Sequence, residues 1–230
     1  MQYIQKQNIP PKDWEKWFTT GNNKRSFDYA TDYSSLRNIS RARQYLIDEQ
    51  KGLCAYCQQK INSDNSSIEH VIPKEFNKEL STNYFNLVAV CKTTTKDSET
   101  QKYHCDKQKG STPISPIIFN SNADITLKNN SYFFLAGSDG RIRAKDKLPD
   151  EIRKQVESFI DIVNLNHKQL REKRTKDILD GLISVFQNLP KENHQKSTYW
   201  QVQFDRIYKN KSHPFRQFFL IYISTKLGRN

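Results

Sequence analysis

The sequence contains no uninterrupted run of roughly 18 apolar residues, which is the least that a membrane-spanning helix needs. Its first residues, Met1 to Asn8, also lack the apolar stretch of a secretory signal peptide. These two absences argue against a membrane protein and against an exported one. We therefore expect a cytoplasmic protein that has no membrane partner.

Internal repeats and low-complexity linkers are also absent from the sequence. Hydrophobic residues make up 35% of the 230 residues and aromatic residues 12%, which is too many for a disordered chain. The length suits either one large domain or a small central domain with helical flanks. We favour the second arrangement.

Cysteine is scarce: the chain has four, and they are Cys54, Cys57, Cys91 and Cys105. A reducing compartment does not maintain two disulfide bonds. Metal binding is therefore the leading interpretation of these cysteines.

The spacing of the cysteines predicts one structural zinc site. Cys54 and Cys57 have the C-x₂-C spacing of a zinc knuckle, and the remaining two cysteines provide the second pair. The alternative is that all four are ordinary buried thiols. His104 is a candidate fourth ligand in place of Cys105. The polar insert 92–104 is expected to be an exposed loop tied at its base by the metal, and its role stays open.

The formal net charge is +12, from 37 Lys and Arg against 25 Asp and Glu. Such an excess favours a polyanionic partner such as DNA, RNA or an acidic membrane surface, although a solvated basic surface is equally compatible. One cluster consists of Lys168, Arg171, Lys173, Arg174 and Lys176. It is suited to nucleic acid or an acidic partner, or is simply a solvated helix face.

The apolar pattern divides the chain into four segments. Residues 1–50 are expected to be an N-terminal helical segment, and 51–112 a core that holds the zinc site. Residues 113–148 read as a β-hairpin connector with a turn at Gly140. Residues 149–230 have helical periodicity, and Pro190 should end the second of their helices.

The acid-histidine pair Glu69-His70 lies between the cysteines, at the end of an expected strand. Imidazole titrates near neutral pH, so His70 is a candidate general base; the alternative is a buried structural histidine. Glu69 and Asp106 are oxygen donors suited to Mg²⁺. Because adjacent residues on a strand face opposite ways, a joint role for Glu69 and His70 requires a twist or a strand end.

Two lysines follow Asp106, namely Lys107 and Lys109. Either could contact phosphate groups of a nucleic acid, or be solvated without a partner.

The order of these residues resembles that of the HNH endonucleases, which have the ββα-metal fold. The matching elements are Cys54 and Cys57, Glu69-His70, Asn86-Leu87, Cys91, and Cys105-Asp106 with Lys109. The Glu-His pair and the long second cysteine gap resemble the PtuB-like branch, the nuclease subunit of Septu phage-defence systems and of some retron systems. The segment Asn164-Leu165-Asn166-His167 also resembles that branch.

The resemblance implies an α+β fold with a ββα-metal core, a structural zinc ion and a separate catalytic Mg²⁺ or Mn²⁺. By the family pattern Glu69 and Asp106 would hold the catalytic ion, and His70 would be the general base. Asn86 would brace the connection between strand and helix, although an asparagine that merely caps a turn would have nearly the same geometry.

The function implied is hydrolysis of nucleic-acid phosphodiester bonds, with DNA favoured, by the effector of an antiphage defence complex. Its implied partners are a PtuA-like ATPase and, in retron systems, a reverse transcriptase with its msDNA. One alternative is an enzyme of the same fold that cleaves RNA, such as a transfer RNA. Another is a zinc-stabilised nucleic-acid-binding or adaptor module without catalysis.

Overall fold

The computed structural model of the chain describes residues 4, 6, 7, 9–18, 39–114, 133–188 and 196–228. These residues form two small antiparallel sheets surrounded by helices, which confirms the expected mixed α+β class. Within the described ranges, no helix combines the length and the apolar character needed to cross a membrane.

The central sheet consists of strands β1 (Ser66–His70) and β2 (Leu87–Cys91). They pair antiparallel, with Glu69 opposite Val88. Strand β2 is buried along its whole length. Glu69 and His70 are the last two residues of β1, so the strand end required by the sequence argument is present.

Helix α1 (Ile39–Glu49) packs against β2. Its buried residues Ala42, Leu46 and Ile47 recur at helical spacing and form the face directed at the sheet. The helix is closed at Gly52, whose N–H donates to the Ile47 carbonyl at 2.8 Å. Gly52 has a φ of 72°, the left-handed conformation that favours glycine after a helix.

The connection between the two strands contains two short 3₁₀ helices, Lys78–Ser81 and Tyr84–Asn86. An asparagine side chain caps each of them. Near this connection an aromatic cluster includes Trp14, whose indole N–H donates to the Thr82 carbonyl at 2.8 Å. The N-terminal segment is thereby attached to the strand connection.

A short helix, α2 (Asp106–Lys109), follows the insert 92–104. The predicted hairpin is present as β3 (Phe134–Ala136) and β4 (Ile142–Ala144), which pair antiparallel. Residues 115–132 of the expected connector lie outside the described residues.

The C-terminal part is helical, as the periodicity predicts. Its helices are α3 (Asp150–Ile162), α4 (Lys168–Asn188), α5 (Lys196–Lys209) and α6 (Arg216–Lys226). Pro190, expected to end the second of them, lies outside the described residues.

The helical part is joined to the cysteine-rich core by backbone hydrogen bonds. The Phe215 N–H donates to the Gln58 carbonyl at 3.0 Å, and the Cys105 N–H donates to the Val163 carbonyl at 2.9 Å. Helix α3 also packs on β4, and α6 packs on β3 and α5. Within the described residues, the helical part therefore packs on the cysteine-rich core.

Candidate metal centre and the adjoining acid-histidine cluster

The four cysteines reach one place from three parts of the chain. Cys54 and Cys57 lie in a turn after α1, Cys91 ends β2, and Cys105 directly precedes α2. The turn is closed by the Gln58 N–H, which donates to the Cys54 carbonyl at 3.0 Å. All four cysteines are buried, and none forms a disulfide bond.

The sulfur atoms lie within 4.8 Å of one another. The Cys54 and Cys105 sulfurs are 3.9 Å apart, and those of Cys57 and Cys91 are 3.6 Å apart. Four thiolates around one Zn²⁺, each at about 2.3 Å, place their sulfurs about 3.8 Å apart in a regular tetrahedron. The four cysteines could therefore hold a metal ion such as zinc, and their geometry fits it.

His104 lies beside this cluster, and its Nδ1 is 3.2 Å from the Cys105 sulfur and 3.9 Å from the Cys91 sulfur. Burial lowers the pKa of His104 to about 4. Its imidazole is therefore neutral, and one ring N–H can donate to a thiolate. The geometry favours Cys105 as the fourth ligand, with His104 as a hydrogen-bonding neighbour.

The insert 92–104 is exposed over most of its length, as expected, but Thr93, Asp97 and His104 are buried. Asp97 accepts hydrogen bonds from the N–H groups of Glu99 at 2.8 Å and Lys168 at 2.6 Å. The second bond joins the insert to the start of α4. The insert is thus fixed by a buried carboxylate as well as by the cysteines at its ends.

Glu69 is buried at the end of β1 and is 6% exposed. Its Oε1 lies 2.7 Å from Nζ of Lys109 and accepts a hydrogen bond from the Tyr56 hydroxyl at 3.3 Å. Burial raises the pKa of Glu69; Lys109 opposes this effect, Asp106 adds to it, and the pKa reaches about 8. The neighbouring carboxyl of Asp106 thus favours the protonated form of Glu69, and the ammonium group of Lys109 favours the charged form.

Asp106 is the first residue of α2, and its Oδ2 accepts a hydrogen bond from the Ser67 hydroxyl at 2.7 Å. Its carboxyl is close enough to Glu69 to raise the pKa of that group. Neighbouring carboxylates are the ligands that Mg²⁺ and Mn²⁺ take in proteins, together with several waters. The donor set thus fits a divalent cation. One oxygen of Glu69, Oε1, is contacted by Lys109.

His70 is buried and 8% exposed. Its Nε2 lies 2.9 Å from the Ser81 carbonyl oxygen. In a neutral imidazole this hydrogen bond requires the proton on Nε2, so Nδ1 carries the lone pair. Burial lowers the pKa of His70, the Ser81 carbonyl and Asp106 oppose this effect, and Lys74 and Lys109 add to it.

Asn86 joins two parts of the connection between β1 and β2. Its Oδ1 accepts from the Ile72 N–H at 2.8 Å, and its Nδ2 donates to the carbonyls of Ile72 and Leu80 at 2.9 and 3.1 Å. It is buried. These contacts hold the two parts of the connection together. They are compatible with the bracing role that the HNH resemblance implies and with simple capping of a turn.

The two lysines of α2 have different environments. Lys107 is exposed, and its Nζ lies 3.9 Å from the centre of the Tyr103 ring. Lys109, expected beside it as a phosphate contact or a solvated lysine, is only 2% exposed and is paired with Glu69. This corrects the expectation for Lys109, because a four-residue helix directs successive side chains to different sides.

Arg174 is a core residue and not a member of the solvated or ligand-binding basic cluster expected from the sequence. It is fully buried beside the cysteines. The sequence does contain a signal, because Leu170, Arg174 and Ile178 lie four residues apart on one face of α4. This spacing distinguishes Arg174 from the exposed lysines that flank it, Lys173 and Lys176.

No family model matches the chain. A search of curated proteins finds the "Retron Vc95 putative HNH endonuclease" of Vibrio cholerae serotype O1 biovar El Tor. The two sequences are 25% identical over 174 residues, which cover 72% of this chain and 76% of the relative. This distant similarity, together with the buried cluster of four cysteines, supports the HNH nuclease family and suggests nuclease activity.

Proposed function

We propose that the protein is a metal-dependent HNH endonuclease that hydrolyses phosphodiester bonds of nucleic acid. The observation that carries the proposal is the meeting of Glu69, His70 and Asp106 next to the four cysteines. Asp106 follows Cys105 directly, and its charge acts on the pKa of both Glu69 and His70. The cysteine cluster would thereby fix the position of the catalytic residues.

In this proposal His70 accepts a proton from the attacking water. Its neutral form is favoured by burial, and the hydrogen bond to the Ser81 carbonyl fixes the ring orientation. Glu69 and Asp106 would hold Mg²⁺ or Mn²⁺, which when bound neutralises charge on the phosphate and the leaving oxygen. The four cysteines would hold zinc with a purely structural role, because four thiolates leave it no open position.

We favour DNA as the substrate, with RNA as the second possibility. The net charge of +12 suits either polyanion, and exposed Lys107 is the candidate phosphate contact beside the site. The name of the Vibrio cholerae relative includes the word retron. This name supports a role for the present protein as the effector of an antiphage defence complex. A PtuA-like ATPase, and a reverse transcriptase with its msDNA, are the partners that the PtuB-like resemblance suggests.

One observation favours a second candidate, a zinc-stabilised adaptor without catalysis. Glu69 is already neutralised by Lys109 in a buried ion pair. Such a pair is sufficient to explain a buried glutamate without any catalytic cation.

The test is a cleavage assay of purified protein, with and without the product of its genomic neighbour. Supercoiled DNA, linear DNA and transfer RNA are incubated with Mg²⁺, with Mn²⁺ or with EDTA. Cation-dependent cleavage is expected, and His70→Ala should reduce its rate by about 10²–10⁴-fold while leaving the zinc content unchanged. Because His70 is buried and hydrogen-bonded to the Ser81 carbonyl, the variant should also unfold at a lower midpoint, so cleavage is measured under conditions in which the variant is folded. His213→Ala, in the turn before α6, is the matched control.

Cleavage by His70→Ala at the wild-type rate would refute the catalytic assignment. If neither wild type nor complex cleaves any substrate, and the protein still binds nucleic acid or its neighbour, the adaptor function is favoured instead. Cleavage of the transfer RNA alone would select the RNA-cleaving alternative.

A further inference from the structure

Arg174 lies in the interior of α4 and is fully buried. Its Nη1 donates to the carbonyl oxygens of Leu165 at 2.8 Å and Gly140 at 3.0 Å. Its Nε and Nη2 are buried and have no hydrogen-bond partner among the described residues. A guanidinium has five N–H donors in a fixed plane, so a large part of this group is unsatisfied.

No carboxylate of the described residues forms an ion pair with Arg174. The rings of Phe215 and Phe218 lie 5.5 and 5.4 Å from its central carbon, a distance at which aromatic faces attract a cation. This attraction is small compared with the cost of removing an ion from water. The positive charge therefore requires compensation that neither the rings nor two carbonyl groups supply.

The thiol groups of the cysteine cluster are the acidic groups that act on Arg174, and they become anionic when they bind a metal ion. Burial lowers the pKa of Arg174 to about 10, and the charges of Cys57 and Cys105 are the influences that oppose this. Two hydrogen bonds fix the arrangement. The Cys105 N–H donates to the Val163 carbonyl, and Nη1 of Arg174 donates to the Leu165 carbonyl. One short segment thus anchors both a cysteine and the arginine.

The other side of the cluster is fixed in the same way. The Phe215 N–H donates to the carbonyl of Gln58, and the Gln217 N–H donates to its side-chain oxygen, each at 3.0 Å. Gln58 follows Cys57 directly, and Phe215 is one of the rings beside Arg174. The knuckle, the start of α6 and the arginine therefore form one packed unit.

We propose that Arg174 is a positioning residue of the zinc centre, and that its guanidinium supplies the charge that balances a Zn²⁺ ion held by four thiolates. Such a centre is a net dianion, because four thiolate charges exceed the two charges of the ion. The cluster and the arginine are each costly to bury alone, and together they offset one another. This inference rests on the zinc site that the proposed function includes.

The proposal predicts that the charge at position 174 controls zinc affinity. Removal of residues that support metal ligands typically weakens metal binding by about 10–100-fold, and we expect a loss in this range for Arg174→Met. Arg174→Lys keeps the charge and should bind zinc markedly tighter than Arg174→Met. Lys176→Met removes one charge from an exposed position of the same helix, so it is the matched control and should bind zinc as wild type does.

The measurement is competition for zinc between the full-length reduced protein and a chromophoric chelator, with metal content determined independently. A Co²⁺-substituted sample should keep the absorption of a four-thiolate site in every variant. If Arg174→Met binds zinc as tightly as wild type, or if Arg174→Lys and Arg174→Met lose the same affinity, the charge has no such role.

A variant that folds poorly is resolved by urea unfolding with zinc and with excess chelator. The proposal requires Arg174→Met to lower the unfolding midpoint more in the presence of zinc than in its absence, whereas an equal loss would indicate a purely structural arginine. A wild-type protein that binds no zinc would refute the zinc site itself. None of these results depends on cleavage, so the nuclease proposal is tested separately.

Discussion

Lys109 Nζ and Glu69 Oε1 lie 2.7 Å apart in an ion pair that is almost completely shielded from water. The same ammonium group donates to the His70 carbonyl at 2.9 Å. Lys109 therefore links α2 to the end of β1, where the proposed catalytic residues lie. This link holds the helix in place directly beside the cysteine cluster.

The first prediction concerns the stability that depends on this ion pair. Lys109→Met should lower the free energy of unfolding by about 1–3 kcal/mol, because it leaves the buried Glu69 carboxyl without its partner. The pKa of Glu69 is already raised to about 8, so in the variant this carboxyl takes up a proton and does not remain as an unpaired charge. Urea unfolding of the zinc-loaded protein measures the change. Lys107→Met, on the exposed side of the same helix, is the control and should cost at most about 1 kcal/mol.

The double variant Glu69→Gln/Lys109→Met distinguishes pairing from packing. It removes both charges, so it should recover a large part of the stability lost in Lys109→Met. A double variant that is no more stable than Lys109→Met would indicate that the lysine acts through its alkyl chain alone.

The pH dependence of cleavage is the second prediction. Burial lowers the pKa of His70 below its ordinary value, which is near 6.5. Since only the neutral imidazole accepts a proton, the rate should fall on the acidic side, with a midpoint below that value. The rate should change little between about pH 7 and 8 if His70 alone governs it.

This prediction is checked with the pH profile of single-turnover cleavage at saturating Mg²⁺. An acid limb centred above pH 7 would indicate that the limiting ionisation is that of Glu69, whose pKa is about 8, and not that of His70. A profile without any acid limb would argue against a histidine base.

The sequence predicted the elements whose signals are local. The C-x₂-C spacing predicted the turn that holds Cys54 and Cys57, and the helical segment expected over residues 1–50 contains α1. It did not predict the directions of Lys107 and Lys109, because α2 has four residues and so shows no periodicity. The environment of Arg174 depends on Gly140 and Phe215, which are distant in sequence, and no local pattern encodes those contacts.

The structure of the insert 92–104 could be predicted from the sequence only in part. Asp97 accepts from the N–H groups of Glu99 and Thr100 at 2.8 and 3.1 Å, a local turn that an aspartate followed by polar residues commonly makes. This part was predictable from the sequence. Its bond to the Lys168 N–H crosses 71 residues and depends on how α4 packs.

The third prediction tests Asp97. Burial of its carboxylate raises the pKa, but the N–H groups of Lys168, Glu99 and Thr100 outweigh this and lower the pKa to about 2. Asp97→Asn should therefore cost about 1–3 kcal/mol in the free energy of unfolding, since it weakens hydrogen bonds to a charged acceptor. Glu99→Gln, exposed in the same insert, should cost less than about 1 kcal/mol.

The pH dependence of this cost identifies the partners of Asp97. A lowered carboxylate pKa contributes stability that is complete above the unfolded value of 3.8 and is lost only as the pH falls toward 2. The difference between Asp97→Asn and wild type should thus be constant from pH 5 to 8, within about 0.5 kcal/mol. A difference that grows as the pH falls from 7 to 5 would show instead that protonated His167, 4.0 Å away, is the main partner.

The fourth prediction separates the two candidates for the fourth metal ligand. Cys105 belongs to the group of four sulfurs within 4.8 Å, whereas His104 does not. Cys105→Ala should therefore prevent stoichiometric zinc binding and destabilise the fold, because binding of a structural zinc contributes directly to folding. His104→Ala removes only a hydrogen-bonding neighbour, so it should keep one zinc per chain with an affinity weakened by about 10–100-fold.

Metal analysis of both purified variants, with the absorption of Co²⁺-substituted protein as a measure of thiolate number, decides between them. Full zinc retention in Cys105→Ala together with its loss in His104→Ala would make His104 the ligand.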